Sequence, residues 1–159
     1  MQKPKADMNK HNQMQSVKNY ELKVKRVQLP EPYGQIVRVP GDVVRLARML
    51  IGDSAQEKFC VFHLDVKNKV IGFSEAAVGG IDSCPVDMRS VFRTAIVLGA
   101  SGIVIAHCHP SGDAALSPDD VNLTQRVKEA AKLLGIILLD HVVVTDVGGV
   151  SMQELGHVF

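Results

Sequence analysis

His107 and His109 stand two residues apart at the end of an apolar run, Gly102–Ala106, and Ser117 and Asp120 follow them. On a strand, side chains at i and i+2 leave the same face, so the two imidazoles emerge side by side. Pro110 and the Ser111-Gly112-Asp113 turn stop that strand and swing the chain round. Asp120 then returns near the start of a new helix. Two neutral imidazoles and one carboxylate are three protein ligands for a borderline-soft divalent ion, and zinc fits best. Three protein ligands leave one position open to water, the arrangement of catalytic rather than structural zinc. The chemistry expected of such a site is metal-assisted hydrolysis.

Each of these residues also has a purely structural reading. Asp120 falls at N3 of the helix that Ser117 begins, where a carboxylate satisfies free amides and suits the helix dipole. Asp113 and Asp119 compete with it as the third ligand. Ser117 reads as an N-cap, or as a hydroxyl aimed at the oxyanion of a tetrahedral intermediate. Hydrolysis also needs a base outside the ligand set. Glu57, which opens one upstream strand, and Glu75, in the next strand, both qualify, and the pattern does not choose between them. Cys108 points away from the histidines by alternation and reads as a small buried hydrophobe. Asp140 and His141 interrupt an apolar strand and need partners. A buried structural pair is the preferred reading, and a contact supporting the site is the alternative. His63 has no companion and reads as structural, and Arg89 and Arg93 as surface or ion-pair residues.

The elements that must position these groups follow from periodicity. Asp42 is the expected N-cap of a first helix carrying Val43, Val44, Leu46, Ala47, Leu50 and Ile51, which Gly52 ends. Phe59–Val66 and Val70–Val78 read as a hairpin about the turn 66–69. Gly79-Gly80 bends the chain before a further short strand. Asp87–Leu98 reads as a second helix with Met88, Val91, Phe92 and Ala95 inward, stopped by Gly99. Ser117-Pro118 opens a third, with Val121, Thr124, Val127, Ala131 and Leu134 inward and Gly135 as its end. Ile136–Thr145 is a long apolar strand, and Val150–Met152 a last short one. Alternation of helix and strand predicts an α/β (α+β) class: a three-layer sandwich, a mixed β-sheet flanked by helices.

Composition bounds the rest. The chain has 159 residues, 46% of them hydrophobic, enough for one domain with a core. No apolar run is long enough to span a bilayer and no signal-peptide pattern opens the chain, so the expectation is a soluble cytoplasmic protein with no membrane partner. Cys60, Cys84 and Cys108 show no CxxC spacing, which excludes a thiolate zinc site and a disulfide framework. Residues 1–29 carry seven Lys/Arg against Asp7 and Glu21, a net +5 in a chain of net +1, so the body is mildly acidic. That tail reads as disordered, with weak nucleic-acid contact as its functional alternative. The expected organisation is a basic tail and Pro-rich connector over 1–37 and one domain over 38–159, with a homo-oligomer through exposed sheet edges as an option.

The residues also carry a family resemblance. His107-Cys108-His109-Pro110, six residues, then Ser117-Pro118-Asp119-Asp120 resembles the JAMM signature His-x-His-Pro-x6-Ser-x2-Asp of JAB/MPN metalloproteases. Glu57-Lys58-Phe59, Leu64-Asp65, His109-Pro110-Ser111-Gly112 and Leu139-Asp140-His141 narrow the likeness to the RadC-like branch, over about residues 38–159. The resemblance implies His107, His109 and Asp120 as zinc ligands, Ser117 as an aid at the oxyanion or the water, and Glu57 as the base. It implies a JAB/MPN-like fold and a peptide or protein substrate, cleaved at a peptide or isopeptide bond. Cys108 departs from the Asn usual in that branch, Leu116 from a Pro, and Met88-Arg89-Ser90 from Pro-Arg-Glu; none of these is a ligand. The chain reads as a short form without the family's helix-hairpin-helix region, which weakens the family's DNA-repair label. The alternatives are a DNA-associated accessory or nuclease protein, which predicts salt-sensitive DNA binding through the tail, and a non-catalytic MPN interaction module.

Overall fold

The computed structural model describes residues 36–79 and 86–157. The basic tail, most of the Pro-rich connector, Cys84 and the short strand expected after Gly80 lie outside these residues. Eight elements follow in order: α1 (Pro40–Ile51), β1 (Lys58–Leu64), β2 (Val70–Val78), α2 (Met88–Leu98), β3 (Gly102–Cys108), α3 (Pro118–Leu134), β4 (Ile137–Val144) and β5 (Gly149–Ser151). The sheet order is β2-β1-β3-β4-β5. Only β3 and β4 run parallel, joined by the α3 crossover; the other neighbours are antiparallel.

Strand alternation splits the core in two. Phe59, Val61, Ile103 and Ile105 face α2 and α3, where they meet Val91, Phe92, Ala95, Leu123, Val127 and Ala131. Cys60, Phe62, Val104, Ala106 and Val142 face α1, where they meet Val43, Leu46, Ala47 and Ile51. Both faces are therefore covered, and the fold is the expected three-layer sandwich. Near the start of β4 the parallel register slips: Ile103 pairs with Leu138, but Val104 pairs with Asp140. This one extra residue reverses the alternation of β4. Leu138 and, three residues on, His141 thus share the α2/α3 face, while Asp140 turns to the α1 side.

Local chemistry explains the helix ends. Asp87 caps α2 by accepting from the Arg89 amide, and Gly99 closes it in the left-handed region at φ 62°. Asp42 is not the N-cap of α1: Val39 holds that position in extended geometry and Pro40 begins the helix. Asp42 lies three residues inside, where its carboxylate accepts from the Arg38 and Val39 amides. A proline at N1 and an acid at N3 satisfy the same free amides by another route. Gly52 ends α1 because of space: a Cβ there would lie 2.6 Å from the Arg48 carbonyl oxygen and 2.9 Å from that of Thr145. In α3 the buried stripe is Asp120, Leu123, Thr124, Val127 and Ala131. Leu134, expected inward, is 47% exposed, and the buried stripe of α3 ends at Ala131.

Candidate metal centre

His107 is the penultimate residue of β3, and His109 lies just beyond its end, where the His109 amide still donates to the Val144 carbonyl. The site therefore forms at the carboxyl ends of the parallel pair, where the chain leaves for α3. Ser117 caps α3: the Asp120 amide donates to Ser117 Oγ, and the Ser117 amide donates to Asp120 Oδ2 at 2.8 Å. This reciprocal box leaves the Asp120 carboxylate buried at the start of the helix, facing the histidines.

One suitable atom from each of His107, His109 and Asp120 lies within 4.8 Å of the others. His107 Nε2 is 2.9 Å from His109 Nε2 and 3.1 Å from Asp120 Oδ1; Asp120 Oδ2 is 4.0 Å from His109 Nε2. The other nitrogen of His109, Nδ1, is 2.7 Å from the Asp113 carbonyl oxygen, which can only accept. His109 therefore carries its proton on Nδ1 and turns a bare Nε2 inward. Two imidazole nitrogens and a carboxylate converging at such separations are a donor set that fits a divalent ion. The side chains of His107 and Asp120 are 0% and 2% exposed, and that of His109 17%, so the centre opens to solvent on the His109 side.

Of Asp113, Asp119 and Asp120, it is Asp120 that brings its carboxylate to the cluster. Asp113 contributes its backbone carbonyl to His109 and spends its side chain on the Ala115 amide, and Asp119 is exposed. Burial by itself would push the Asp120 carboxyl up. The neighbouring His107 imidazole and the bonds donated by Ser117 outweigh it and hold the group well below the usual carboxylate range. The Ser117 hydroxyl donates to Asp120 Oδ2 at 2.7 Å, so Ser117 orients the carboxylate as well as capping the helix.

Topology separates the two candidate bases. The β1–β2 pairing extends to Glu57, whose carbonyl accepts from the Gly79 amide. By alternation Glu57 shares the face of Phe59, whose ring stacks on His107 with centroids 6.3 Å apart. Glu75 pairs opposite Cys60 and so lies on the α1 face, on the edge strand, where it bonds Lys58 Nζ at 3.0 Å. Cys108 is buried on that same α1 face as expected, with burial pushing its thiol up.

Two further residues join the cluster. His141 Nε2 is 2.8 Å from His107 Nδ1, and His141 Nδ1 is 2.5 Å from Thr124 Oγ1. Phe59 packs edge-on against His141, centroids 5.8 Å apart, and keeps the pair dry. Burial pushes the His141 imidazole well below its usual range, so it stays neutral. Asp140 is structural, as expected: it accepts from Ser151 Oγ and from the His141 and Gln153 amides. His141, grouped with it in that reading, instead contacts His107 of the candidate ligand set, because adjacent strand residues face opposite sides. Thr124, read from periodicity only as core, was signalled by its hydroxyl, since a buried hydroxyl needs a partner.

Comparisons with known proteins agree with this geometry. Residues 37–157 match the model of the RadC-like JAB domain. A UPF0758 protein of Carboxydothermus hydrogenoformans is 40% identical over 114 residues, covering 72% of this chain and 50% of the relative. One from Clostridium perfringens is 40% identical over 130 residues (82% and 57%), and one from Bacillus cereus 34% identical over 144 residues (91% and 64%). The chain thus spans between half and two-thirds of the length of these curated relatives, whose names state no activity. Among the described residues no helix is long and apolar enough to cross a membrane. With a family match over most of its length, the chain belongs to the RadC-like JAB domain family.

Proposed function

We propose that this protein is a zinc-dependent hydrolase of JAMM type that cleaves a peptide or isopeptide amide bond. The observation that carries the reading is the convergence of His107 Nε2, His109 Nε2 and the Asp120 carboxylate on one point that opens to solvent beside His109. These three residues would hold the ion. Zinc held there would supply a Lewis acid for the amide carbonyl and would lower the pKa of a water molecule. Glu57, on the Phe59 side of the sheet and outside the ligand set, takes the proton from the attacking water and delivers it to the leaving amine. Ser117 orients Asp120 through its hydroxyl in the resting site, and turns that one proton to the oxyanion as it forms.

The test is elemental analysis of the purified full chain with a screen of peptide and isopeptide substrates. About one zinc per chain is expected, with hydrolysis that Glu57→Gln abolishes while zinc is retained. Full activity in Glu57→Gln would overturn the choice of base. Absence of zinc in the wild type, even after zinc is supplied, would overturn the hydrolase.

A further inference from the structure

We propose that His141 and Thr124 are positioning residues that lock His107 in the Nδ1–H tautomer, turning a bare Nε2 toward the metal centre. The proposal rests on the metal-centre reading above, but its core is a proton inventory that needs no ion.

Thr124 Oγ1 has three neighbours: the Asp120 carbonyl oxygen at 2.5 Å, Met152 Sδ at 3.2 Å and His141 Nδ1 at 2.5 Å. A carbonyl and a thioether can only accept. The single hydroxyl proton therefore points away from His141, and the oxygen accepts from His141 Nδ1–H. A neutral imidazole protonated at Nδ1 has its lone pair on Nε2, and that atom faces His107 Nδ1 at 2.8 Å. His107 must then donate from Nδ1, which leaves its Nε2 bare, 3.1 Å from Asp120 Oδ1. The relay begins at the backbone of one ligand, Asp120, and ends at the ring of another, His107. All of Thr124, His141 and His107 are 0% exposed, so no water competes for these protons. Without the Thr124 hydroxyl, His141 is free to move its proton to Nε2 and reverse the chain. His107 then carries its proton on the side where a ligand lone pair is required.

The experiment uses the full chain as wild type, Thr124→Val, Thr124→Ser and His141→Phe. Zinc affinity is read by chelator competition, and imidazole tautomers by long-range 1H–15N spectra of the metal-free protein. Valine matches threonine in shape, so Thr124→Val removes the hydroxyl with little change in packing. Zinc affinity is expected to fall about 10–100-fold in Thr124→Val and His141→Phe, and to stay within about threefold of wild type in Thr124→Ser. In the metal-free protein His107 is expected as Nδ1–H in wild type and Thr124→Ser, and as Nε2–H or a mixture in Thr124→Val. Unchanged affinity and tautomer in Thr124→Val would overturn the positioning role while leaving the metal centre standing. A wild type that binds no zinc would overturn the metal centre. The metal-free spectra then decide the relay alone: Nδ1–H lost in Thr124→Val upholds it, and Nε2–H in wild type ends it.

Discussion

Asp140 and His141 are neighbours on β4, both buried and both polar, yet they serve different parts of the molecule. The bonds of Asp140 close locally: Ser151, Gln153 and the His141 amide all lie on β4 or the segment that returns beside it. The bonds of His141 reach across the fold, to His107 on β3 and Thr124 on α3. One residue holds the C-terminal segment against the sheet, and the other holds a candidate ligand in orientation. The pleat makes this division, since it sends successive side chains to opposite faces. Burial of a polar group therefore says that it has partners, and only the face says which.

The sharpest way to break this contrast is at the ligands themselves. His107→Ala and Asp120→Ala are expected to abolish stoichiometric zinc binding, checked by elemental analysis, while Asp140→Ala keeps it. Asp140→Ala leaves three donors without their acceptor and is expected to lower stability by about 2–4 kcal/mol in denaturant unfolding. Zinc loss in Asp140→Ala without unfolding would erase the distinction between the two neighbours.

His63 sharpens the comparison, as another buried imidazole on the same face as His107, at the far end of the sheet. Ser74 Oγ at 2.9 Å is its hydrogen-bond partner, and burial pushes its pKa down to about 4. Between about 4 and the usual 6.5 the unfolded chain binds the extra proton, so stability falls as pH drops through that window. His63→Leu is expected to remove about 1–2 kcal/mol of the stability lost between pH 7 and pH 5, read from unfolding curves at both values. Zinc affinity at pH 7 should not change, in contrast to His141→Phe.

The smallest effect belongs to the Asp140 charge. Burial raises its pKa above the usual 3.8, against the hydrogen bonds from Ser151, Gln153 and His141. The folded state then binds more protons between 3.8 and the raised value, so the Asp140 contribution to stability declines as pH rises through that interval. Asp140→Asn is expected to flatten that segment of the stability–pH profile, read from unfolding curves at several pH values. A steeper profile in the variant would mean that Asp140 is held ionised rather than burdened by burial.

Local pattern carried much of this molecule. The helical spacing of Val91, Phe92 and Ala95, the Ser117-Pro118 start and the hairpin about residues 66–69 all depend on neighbours within a few positions, and they appear as read. The grouping of His107, His109 and Asp120 was also legible, because His109 and Asp120 lie only eleven residues apart, at one strand end and one helix start. Reading went astray where two local solutions satisfy the same need, as at Asp42, or where a buried stripe stops short of the helix end, as at Leu134.

What the sequence determined by itself was the inventory: which residues can bind a metal, which strand end presents two of them, and which helix cap brings the third. What only the tertiary structure decided was the company each group keeps. Strand pairing set Phe59 against His107, and Glu75 opposite Cys60 on the other side of the sheet. A one-residue slip at the start of β4 turned His141 toward His107 and Asp140 away from it. Periodicity along a chain is a short-range property, fixed by backbone geometry. Pairing order and register are settled by the packing of distant segments, and no window of sequence contains them.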